Sequence, residues 1–215
     1  MSDRELRRGT GEATTGATTD DGRRSDRRDR LVDAGMALFR RRGTGGAGVA
    51  AVCAAGGVTK GVFSHHFPGG KDELVAAVVR RNADEVDALV GRALDAAPTP
   101  GAAVAACFGA CADLLDRDPD LGCPIAAAVV DGHETSPAVR AVADAAFRRW
   151  EDRLAHALRE RAVDPATAAT LATTVVAAME GAILLALARR EPGVLRATGA
   201  VVAEAVDRAA AGDHG

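Results

Sequence analysis

Residues 49–74 read VAAVCAAGGVTKGVFSHHFPGGKDEL, and this stretch decides the fold. It predicts a short helix over 49–55, ended by two glycines, and another over 59–67, ended by Pro-Gly-Gly. Thr59 supplies a side-chain oxygen that can cap the second helix, and Val58 is placed to fill the angle between the helices. Two short helices joined by a tight glycine-containing turn predict a helix-turn-helix.

A longer helix is predicted immediately before this pair, over 27–42. Three arginines occupy its last turn, where cations interact favourably with the helix dipole, and a glycine ends it. Its apolar positions recur at the spacing of one helix face: Leu31, Ala34, Gly35, Leu38 and Phe39. Residues 1–22 are polar and have no such periodicity, so they are predicted to form a disordered tail.

The rest of the chain continues the helical pattern. Of the 215 residues, 47% are apolar, 3% are aromatic and none is Tyr. This composition excludes disorder throughout and argues against a strand-rich fold. The sequence therefore predicts an all-α protein of about nine helices, the later ones over 71–96, 102–117, 124–130, 137–162, 165–190 and 194–210.

Charge is unevenly distributed along the chain. The net charge is −3, but residues 22–80 carry eleven basic and five acidic side chains, whereas residues 81–215 carry thirteen and twenty. A basic N-terminal module on an acidic body predicts a polyanionic partner for the module. An arginine-rich, solvated helix face would give the same balance, so charge alone leaves both interpretations open.

The location of the protein is predicted from its cysteines and its apolar segments. Four cysteines in a chain of this length do not make a disulfide framework, and the first 30 residues contain no apolar signal region. The longest apolar stretch, 171–188, includes Thr173, Thr174 and Glu180. It therefore predicts a buried or interface helix rather than a membrane span, in a soluble cytoplasmic protein.

Candidate chemical sites are few. Cys107 and Cys111 are four residues apart on one helix face, and with Cys123 and His133 they could form a metal or redox site. Small buried side chains are the favoured interpretation, because cysteine is among the most often buried residue types. No hydrolase or zinc-protease motif is present, so we expect no metal, no cofactor and no enzyme.

Three strings carry a resemblance to a known family. They are RRDRLVDAGMALFRRRG (27–43), VAAVCAAGGVTKG (49–61) and HHFPGGKDEL (65–74). Together they resemble the DNA-binding domain of the tetracycline-repressor (TetR) family. In the body, GCPIAAAV (122–129) and MEGAILLALAR (179–189) resemble the LmrA/YxaF-like subgroup.

The resemblance implies that the helix over 59–67 reads DNA bases. Lys60 and Val62 would face the major groove, and His65 and Lys71 would contact phosphates. The full set of implied DNA-binding residues is Arg28, Thr59, Lys60, Val62, Ser64, His65 and Lys71. The chain departs from the family pattern where Ser64 replaces a usual Tyr, Val62 a usual Thr, and Gly48 a usual capping Ser or Thr.

The resemblance also implies that the body binds an effector and forms a dimer. The candidate pocket residues are Phe108, Cys111, Ile125, Val129, Phe147, Trp150 and Met179. The candidate dimer residues, on the last two long helices, are Ala178, Gly181, Ala182, Leu185, Val201 and Val202. The pocket set is apolar and aromatic and contains no charge, so the effector is predicted to be apolar or aromatic.

These inferences combine into one functional prediction. A helix-turn-helix domain over 23–70 would bind double-stranded DNA with a pseudo-palindromic sequence. A helical domain over 71–215 would dimerise and bind the effector, giving a homodimeric repressor that its effector releases from DNA. The alternative is a helical ligand- or partner-binding protein with a weakened DNA-binding module.

Overall fold

A computed structural model describes residues 16–130 and 136–212, with side chains from residue 24 onward. Within these ranges the chain forms nine α-helices and no strand, which confirms the predicted fold class. The helices are α1 (Gly16–Arg42), α2 (Val49–Ala55), α3 (Lys60–His66), α4 (Gly70–Ala96), α5 (Pro100–Arg117), α6 (Pro124–Val130), α7 (Pro137–Arg159), α8 (Pro165–Arg189) and α9 (Gly193–Ala210).

The first helix is longer than the sequence predicts. It begins at Gly16 rather than near residue 27, so residues 16–22 are helical and the prediction of a tail over 1–22 is wrong there. Residues 1–15 lie outside the described part of the chain. Residues 16–26 have no apolar stripe to reveal the extension. Extending an existing helix costs far less free energy than nucleating a new one. The buried turns from Leu31 onward form a stable helix, from which the extension toward Gly16 propagates.

Three helices of the body begin at the same kind of capping pair, a small polar residue followed by proline. The Thr99 Oγ accepts a hydrogen bond from the Ala102 amide at 3.1 Å, and Ser136 and Asp164 cap α7 and α8 in the same way. Proline suits the position after the cap, because its missing N–H has no partner there in any helix. The predicted starts of α7 and α8 are confirmed, because each helix begins at the proline of its capping pair.

Two clusters of buried side chains form the core. The first runs from α1, α2 and α3 into α4, α6 and α7, and it contains Phe39, Phe63 and Trp150. The second joins α5, α7, α8 and α9. The N-terminal helices therefore share one continuous core with the body, so a displacement of α4 or α6 is felt by the N-terminal helices.

Close packing of α5 on α9 fixes the second cluster. A Cβ on Gly199 of α9 would lie 2.5 Å from the Cβ of Phe108 on α5, so only glycine allows this approach. Across the molecule, α4 and α7 are held together by Arg153, whose guanidinium binds the Asp87 carboxylate at 2.7 and 2.8 Å. This hydrogen bonding lowers the pKa of Asp87.

Candidate nucleic-acid interface and cavity

The turn between α2 and α3 has the tight geometry that a helix-turn-helix needs. Gly57 adopts a left-handed backbone conformation with φ of 63°, which most other residues avoid. The Val58 amide then donates to the carbonyl of Cys53 at 3.0 Å, and the Val58 side chain packs against the first core cluster. The turn therefore fixes the angle between the two helices, as the sequence predicts.

Helix α3 has a buried side and an exposed side. Phe63 and Phe67 lie in the core with their ring centroids 5.4 Å apart, as predicted. The Thr59 Oγ accepts from the Val62 amide at 3.4 Å, so the predicted cap is present. The predicted DNA-binding residues of this helix divide by exposure: Thr59, Lys60, Ser64 and His65 are exposed, and Val62 is half-buried.

The two predicted residues outside α3 lie next to it in the chain or in space. Lys71 is in the first turn of α4, which Gly70 enters with φ of 73°. The guanidinium of Arg28 on α1 lies 5.1 Å from the centre of the Phe67 ring, which places a cation beside the end of α3.

Two further arginines near this site were missed by the sequence analysis. The pKa of His66 is lowered first by burial, then by the charge of His65, and then by Arg24, Arg27 and Arg28. Arg24, Arg27 and Arg28 in the first half of α1 therefore form a cationic cluster beside the end of α3. The periodic pattern on which the α1 prediction relied begins only at Leu31, so it carried no signal for these residues.

Hydrogen bonds tie α1 to the segment between α5 and α6. The Gly122 amide donates to the Arg40 carbonyl at 2.9 Å, and the Arg41 guanidinium pairs with the Asp118 carboxylate. After α1, the Thr44 hydroxyl donates to the carbonyl of Ala127 in α6 at 3.4 Å. The N-terminal helices are thus joined to the body at three points near α6.

A cavity of about 190 Å³ lies directly behind this junction. It is lined by α4, α5, α7, α8 and the segment over 121–124, with Arg40 from α1, and its walls are mostly Val, Leu and Ile. Three of the predicted pocket residues line it: Cys111, Trp150 and Met179.

The other four predicted pocket residues do not line the cavity. Phe108 is fully buried in the second core cluster against α9, and Ile125 is fully buried in the first. Phe147 packs edge-on against Trp150 with centroids 5.6 Å apart, and Val129 is 43% exposed on α6. Helical spacing identifies the apolar face of each helix, but it does not say whether that face meets a neighbouring helix or a space between helices.

Few polar side chains line the cavity: Arg40, Asn82, Glu180 and the thiols of Cys107, Cys111 and Cys123. The Arg40 guanidinium donates to the Asn82 Oδ1 at 2.7 Å. Burial raises the pKa of Glu180, although a hydrogen bond from the Cys123 thiol partly offsets this. Of this set, only Cys111 was predicted, because an apolar pattern carries no information about isolated polar positions.

The cysteines are free, buried or half-buried thiols. Burial raises the pKa of Cys107 and of Cys111 to about 11 and also raises that of Cys123, so all three stay protonated at neutral pH. No group of three or more metal-binding side chains is arranged to hold an ion within 16–130 and 136–212. His133, which the alternative metal site would use, lies outside the described residues.

Helix α8 has two contrasting sides. One side contributes Val175, Val176, Met179, Glu180 and Ile183 to the cavity. The other carries predicted dimer residues that are exposed, Gly181 and Leu185, and also Leu184, which is 68% exposed and was not predicted.

The remaining predicted dimer residues differ in exposure. On α9, Val201 is 69% exposed and Val202 is half-buried, whereas Ala178 on α8 is half-buried. Ala182 is only 2% exposed, because it packs inside the second core cluster, so it is not available to a partner as predicted. Small residues allow two helices to pack closely, and Ala182 packs closely against other helices of the same chain.

Among the described helices, α8 alone is long and apolar enough to cross a membrane by length and composition. It packs on both α7 and α9, with Ala168, Ala172, Ala182 and Ala186 buried. Its cavity side also carries the carboxylate of Glu180. Most of its apolar length is nevertheless not buried within the chain, because the side that carries Leu184 and Leu185 faces outward.

Comparison with known proteins decides the family. Residues 31–78 match the family of bacterial regulatory proteins, tetR family, and residues 100–201 match the C-terminal domain of LmrA/YxaF-like transcriptional regulators. An uncharacterized HTH-type transcriptional regulator from Mycobacterium tuberculosis is 32% identical over 169 residues, covering 76% of this chain and 86% of that protein. The chain belongs to the TetR family of transcriptional regulators.

Other relatives agree with this assignment. The HTH-type transcriptional regulator LmrA from Bacillus subtilis is 25% identical, covering 75% of this chain and 87% of that protein. A TetR transcriptional regulator from Legionella pneumophila has the same fold, with a TM-score of 0.74 at 18% identity, over 82% of this chain and 95% of that one. The TetR-family chain described here is therefore a DNA-binding regulator of transcription and not an enzyme.

Proposed function

We propose that this protein is a homodimeric repressor that binds a pseudo-palindromic operator and is released from it by a small apolar or aromatic effector. The observation that carries the proposal is the exposed side of α3, where Thr59, Lys60, Ser64 and His65 stand over buried Phe63 and Phe67. A helix braced in this way can enter the major groove, which is about 12 Å wide, without losing its position.

The contacts with DNA divide into two kinds. We expect Lys60 and Val62 to meet base edges, where the Val62 side chain offers an apolar contact to a thymine methyl group. We expect Arg28, His65 and Lys71 to contact phosphates, and Ser64 to reach a phosphate with its shorter side chain. Thr59 caps α3 and would leave the amides at the start of that helix facing phosphates. Phosphate contacts supply position and salt-dependent affinity, whereas base contacts supply sequence preference.

Dimer formation through α8 and α9 is supported by their exposed apolar sides. Leu184, Leu185 and Val201 are exposed on neighbouring helices, an arrangement that is costly in water and typical of a protein interface. A two-fold dimer would present two copies of α3 to successive major grooves, about 34 Å apart for a spacing of one helical turn. Residues 23–70 would act as the DNA-binding head and residues 71–215 as the effector-binding and dimerisation body.

Effector release requires that the cavity and the head influence each other. Gly122 and Cys123 line the cavity, and the Gly122 amide is bonded to Arg40 at the end of α1. A ligand that fits better when this segment is displaced would favour a different position of the heads. Operator affinity would then fall by the difference in ligand affinity between the two states.

A gel-shift experiment tests the proposal. The full chain is titrated onto the DNA upstream of its own gene, and onto a shuffled fragment of equal length, at several salt concentrations. We expect preferential binding to the upstream DNA, a protected pseudo-palindrome in a footprint, and steep weakening as salt rises.

We place the protein in the cytoplasm, where the chromosome is accessible to it.

The same experiment can contradict the proposal. Absence of binding to any DNA at low salt would favour the alternative, a helical ligand- or partner-binding protein with a weakened head. Protection of a single half-site by a monomer would overturn the dimer.

A further inference from the structure

We infer that the cavity binds a lipophilic monocation, an apolar or aromatic body carrying one protonated amine, whose charge pairs with the carboxylate of Glu180. This inference rests on the proposed function, because it names the chemical class of the effector.

Two charged side chains line the cavity, Arg40 and Glu180, and only Arg40 has an oppositely charged side chain beside it. Arg40 donates to Asn82 and has the Glu85 carboxylate 3.8 Å away. Glu180 accepts a hydrogen bond from the Cys123 thiol, and no Lys, Arg or His nitrogen of the described chain lies within 4.0 Å of its carboxylate. Glu180 is thus an acid without a basic partner in a largely apolar space.

The groups around Glu180 do not neutralise it, because Arg40, the one cation that lines the cavity, is held by Asn82 and Glu85. Cys107 and Cys111 approach from α5 and Cys123 from the segment before α6, and all three are protonated thiols at neutral pH. From α4 and α7 the cavity receives Asn82 and Trp150, neither of which carries a charge. Glu180 is half-buried, and a carboxylate that is partly withdrawn from water without a counter-ion is unfavourable, so a bound cation gains both the ion pair and the apolar contact.

The charge of Glu180 also determines which ligands the cavity disfavours. An anionic ligand would be repelled by the Glu180 carboxylate, and the one cation that lines the cavity, Arg40, is already held by Asn82 and Glu85. A neutral ligand of the same shape would displace water from the Glu180 carboxylate without forming an ion pair with it. The thiols do not offer a reactive alternative, because the thiolate rather than the thiol is the nucleophile.

A matched pair of probes tests the inference. Naphthylmethylamine is protonated at neutral pH, and naphthylmethanol has the same ring and reach without the charge. Binding of each to the full chain is measured by calorimetry for the natural protein, for Glu180→Gln, and for Glu191→Gln as a control at an exposed acid after α8. Circular dichroism and a thermal melt establish that each variant is folded.

We expect the natural protein and Glu191→Gln to bind the amine at least about tenfold more tightly than the alcohol. In Glu180→Gln the two probes should bind equally, while the affinity for the alcohol changes by less than about twofold. Equal binding of the two probes by the natural protein, failure of both to bind, or a preference that survives in Glu180→Gln overturns the inference.

A gel-shift arm separates this inference from the proposed function. If the amine binds through Glu180 but leaves the operator complex intact, the ligand class stands and effector-induced release fails. If the protein does not bind DNA at all, the repressor proposal fails, and the calorimetric result still decides the ligand class.

Discussion

The amide of Gly122 donates a 2.9 Å hydrogen bond to the carbonyl oxygen of Arg40, which joins the wall of the cavity to the last turn of α1. Beside it, Arg41 pairs with Asp118 at the end of α5. The same short stretch of α1 therefore contacts the segment over 118–122 through both backbone and side chain. A ligand that displaced this segment would therefore act directly on the last turn of α1.

Asp118→Asn tests whether the ion pair supports this junction. Asparagine keeps an oxygen that can accept the local bond from the Asp120 amide but loses the charge that binds Arg41. Exposed ion pairs contribute up to about 1 kcal/mol, so the Gly122 amide should exchange its hydrogen roughly two- to fivefold faster. Hydrogen–deuterium exchange measures this rate.

Asp120→Asn is the matched control for this experiment. Asp120 lies in the same segment but pairs with Arg190 at the end of α8, not with α1. Exchange at Gly122 should be unchanged in this variant. Equal acceleration in both variants would mean that the loss of any acid loosens the segment, and the pairing with Arg41 would have no special role.

Two substitutions separate phosphate contact from base contact. Lys71→Ala should weaken binding to all DNA sequences by about the same factor and make the dependence on salt less steep by about one counterion. Val62→Ala removes the apolar contact of α3 and should change which bases are preferred at one position of each half-site. Selection of bound sequences from a random library checks both, and losses from Val62→Ala that are equal for every sequence would contradict this division.

Val201→Asp should dissociate the dimer. Val201 is 69% exposed on α9, and a carboxylate there would be buried without a partner in a two-fold interface. We expect sedimentation of a monomer and at least a tenfold loss of operator affinity, on the order of 1.4 kcal/mol. Val130→Asp, at an 80% exposed position on α6, is the control and should remain dimeric. A dimeric Val201→Asp would place the interface elsewhere.

Much of the fold is predictable from sequence because its signals are local. The glycines after α2, the capping Thr59 and the prolines at the starts of α7 and α8 act on their immediate neighbours. The end of α2 and the starts of α3, α7 and α8 therefore follow from sequence, whereas α7 ends at Arg159, before the predicted residue 162. The early start of α1 at Gly16 does not, since it depends on helix propagation from a buried segment rather than on the composition of the extension.

The site is less predictable, because its residues are brought together by packing between distant helices. Phe108 and Met179 have the same apolar character in sequence, yet Phe108 meets α9 and Met179 meets the cavity. Glu180 interrupts an apolar helix, and its position beside three thiols depends on where α5 and the segment before α6 lie. Such relationships are set by tertiary structure.

The head can be stabilised by supplying the cap that α2 lacks. Gly48 is the N-cap residue of α2 and has an extended backbone, but it has no side chain to accept a capping hydrogen bond. A Cβ added to Gly48 would meet no atom within 4 Å. Gly48→Ser adds a cap and restricts the unfolded chain, so we expect a gain of about 0.5–1 kcal/mol in the free energy of unfolding. Chemical denaturation measures this gain.

Gly57→Ser is the matched control for this prediction. Gly57 has φ of 63°, so a side chain there is strained and the variant should be destabilised by about 1 kcal/mol. If Gly48→Ser and Gly57→Ser change the free energy of unfolding in the same direction, backbone conformation at these two positions does not determine the change in stability.

Glu180→Gln should stabilise the protein at neutral pH and leave it unchanged in acid. Burial raises the pKa of Glu180 above its ordinary value of 4.5, so the folded state holds this proton more tightly than the unfolded state. The natural protein therefore loses stability as pH rises from 4.5 through the raised pKa, and glutamine, which never ionises, does not.

The measurement is a pair of thermal melts at pH 8 and at the lowest pH where both proteins refold. At pH 8 we expect Glu180→Gln to be more stable by roughly 1 kcal/mol, or a few degrees in Tm. The difference should shrink as pH falls toward 4.5. Identical melts at pH 8 would show that the Glu180 carboxylate is already compensated in the folded protein, and its position in the cavity would then cost no stability. A higher Tm of Glu180→Gln at pH 8 would instead mean that the natural glutamate lowers the stability of the protein, as is expected of a residue that serves binding.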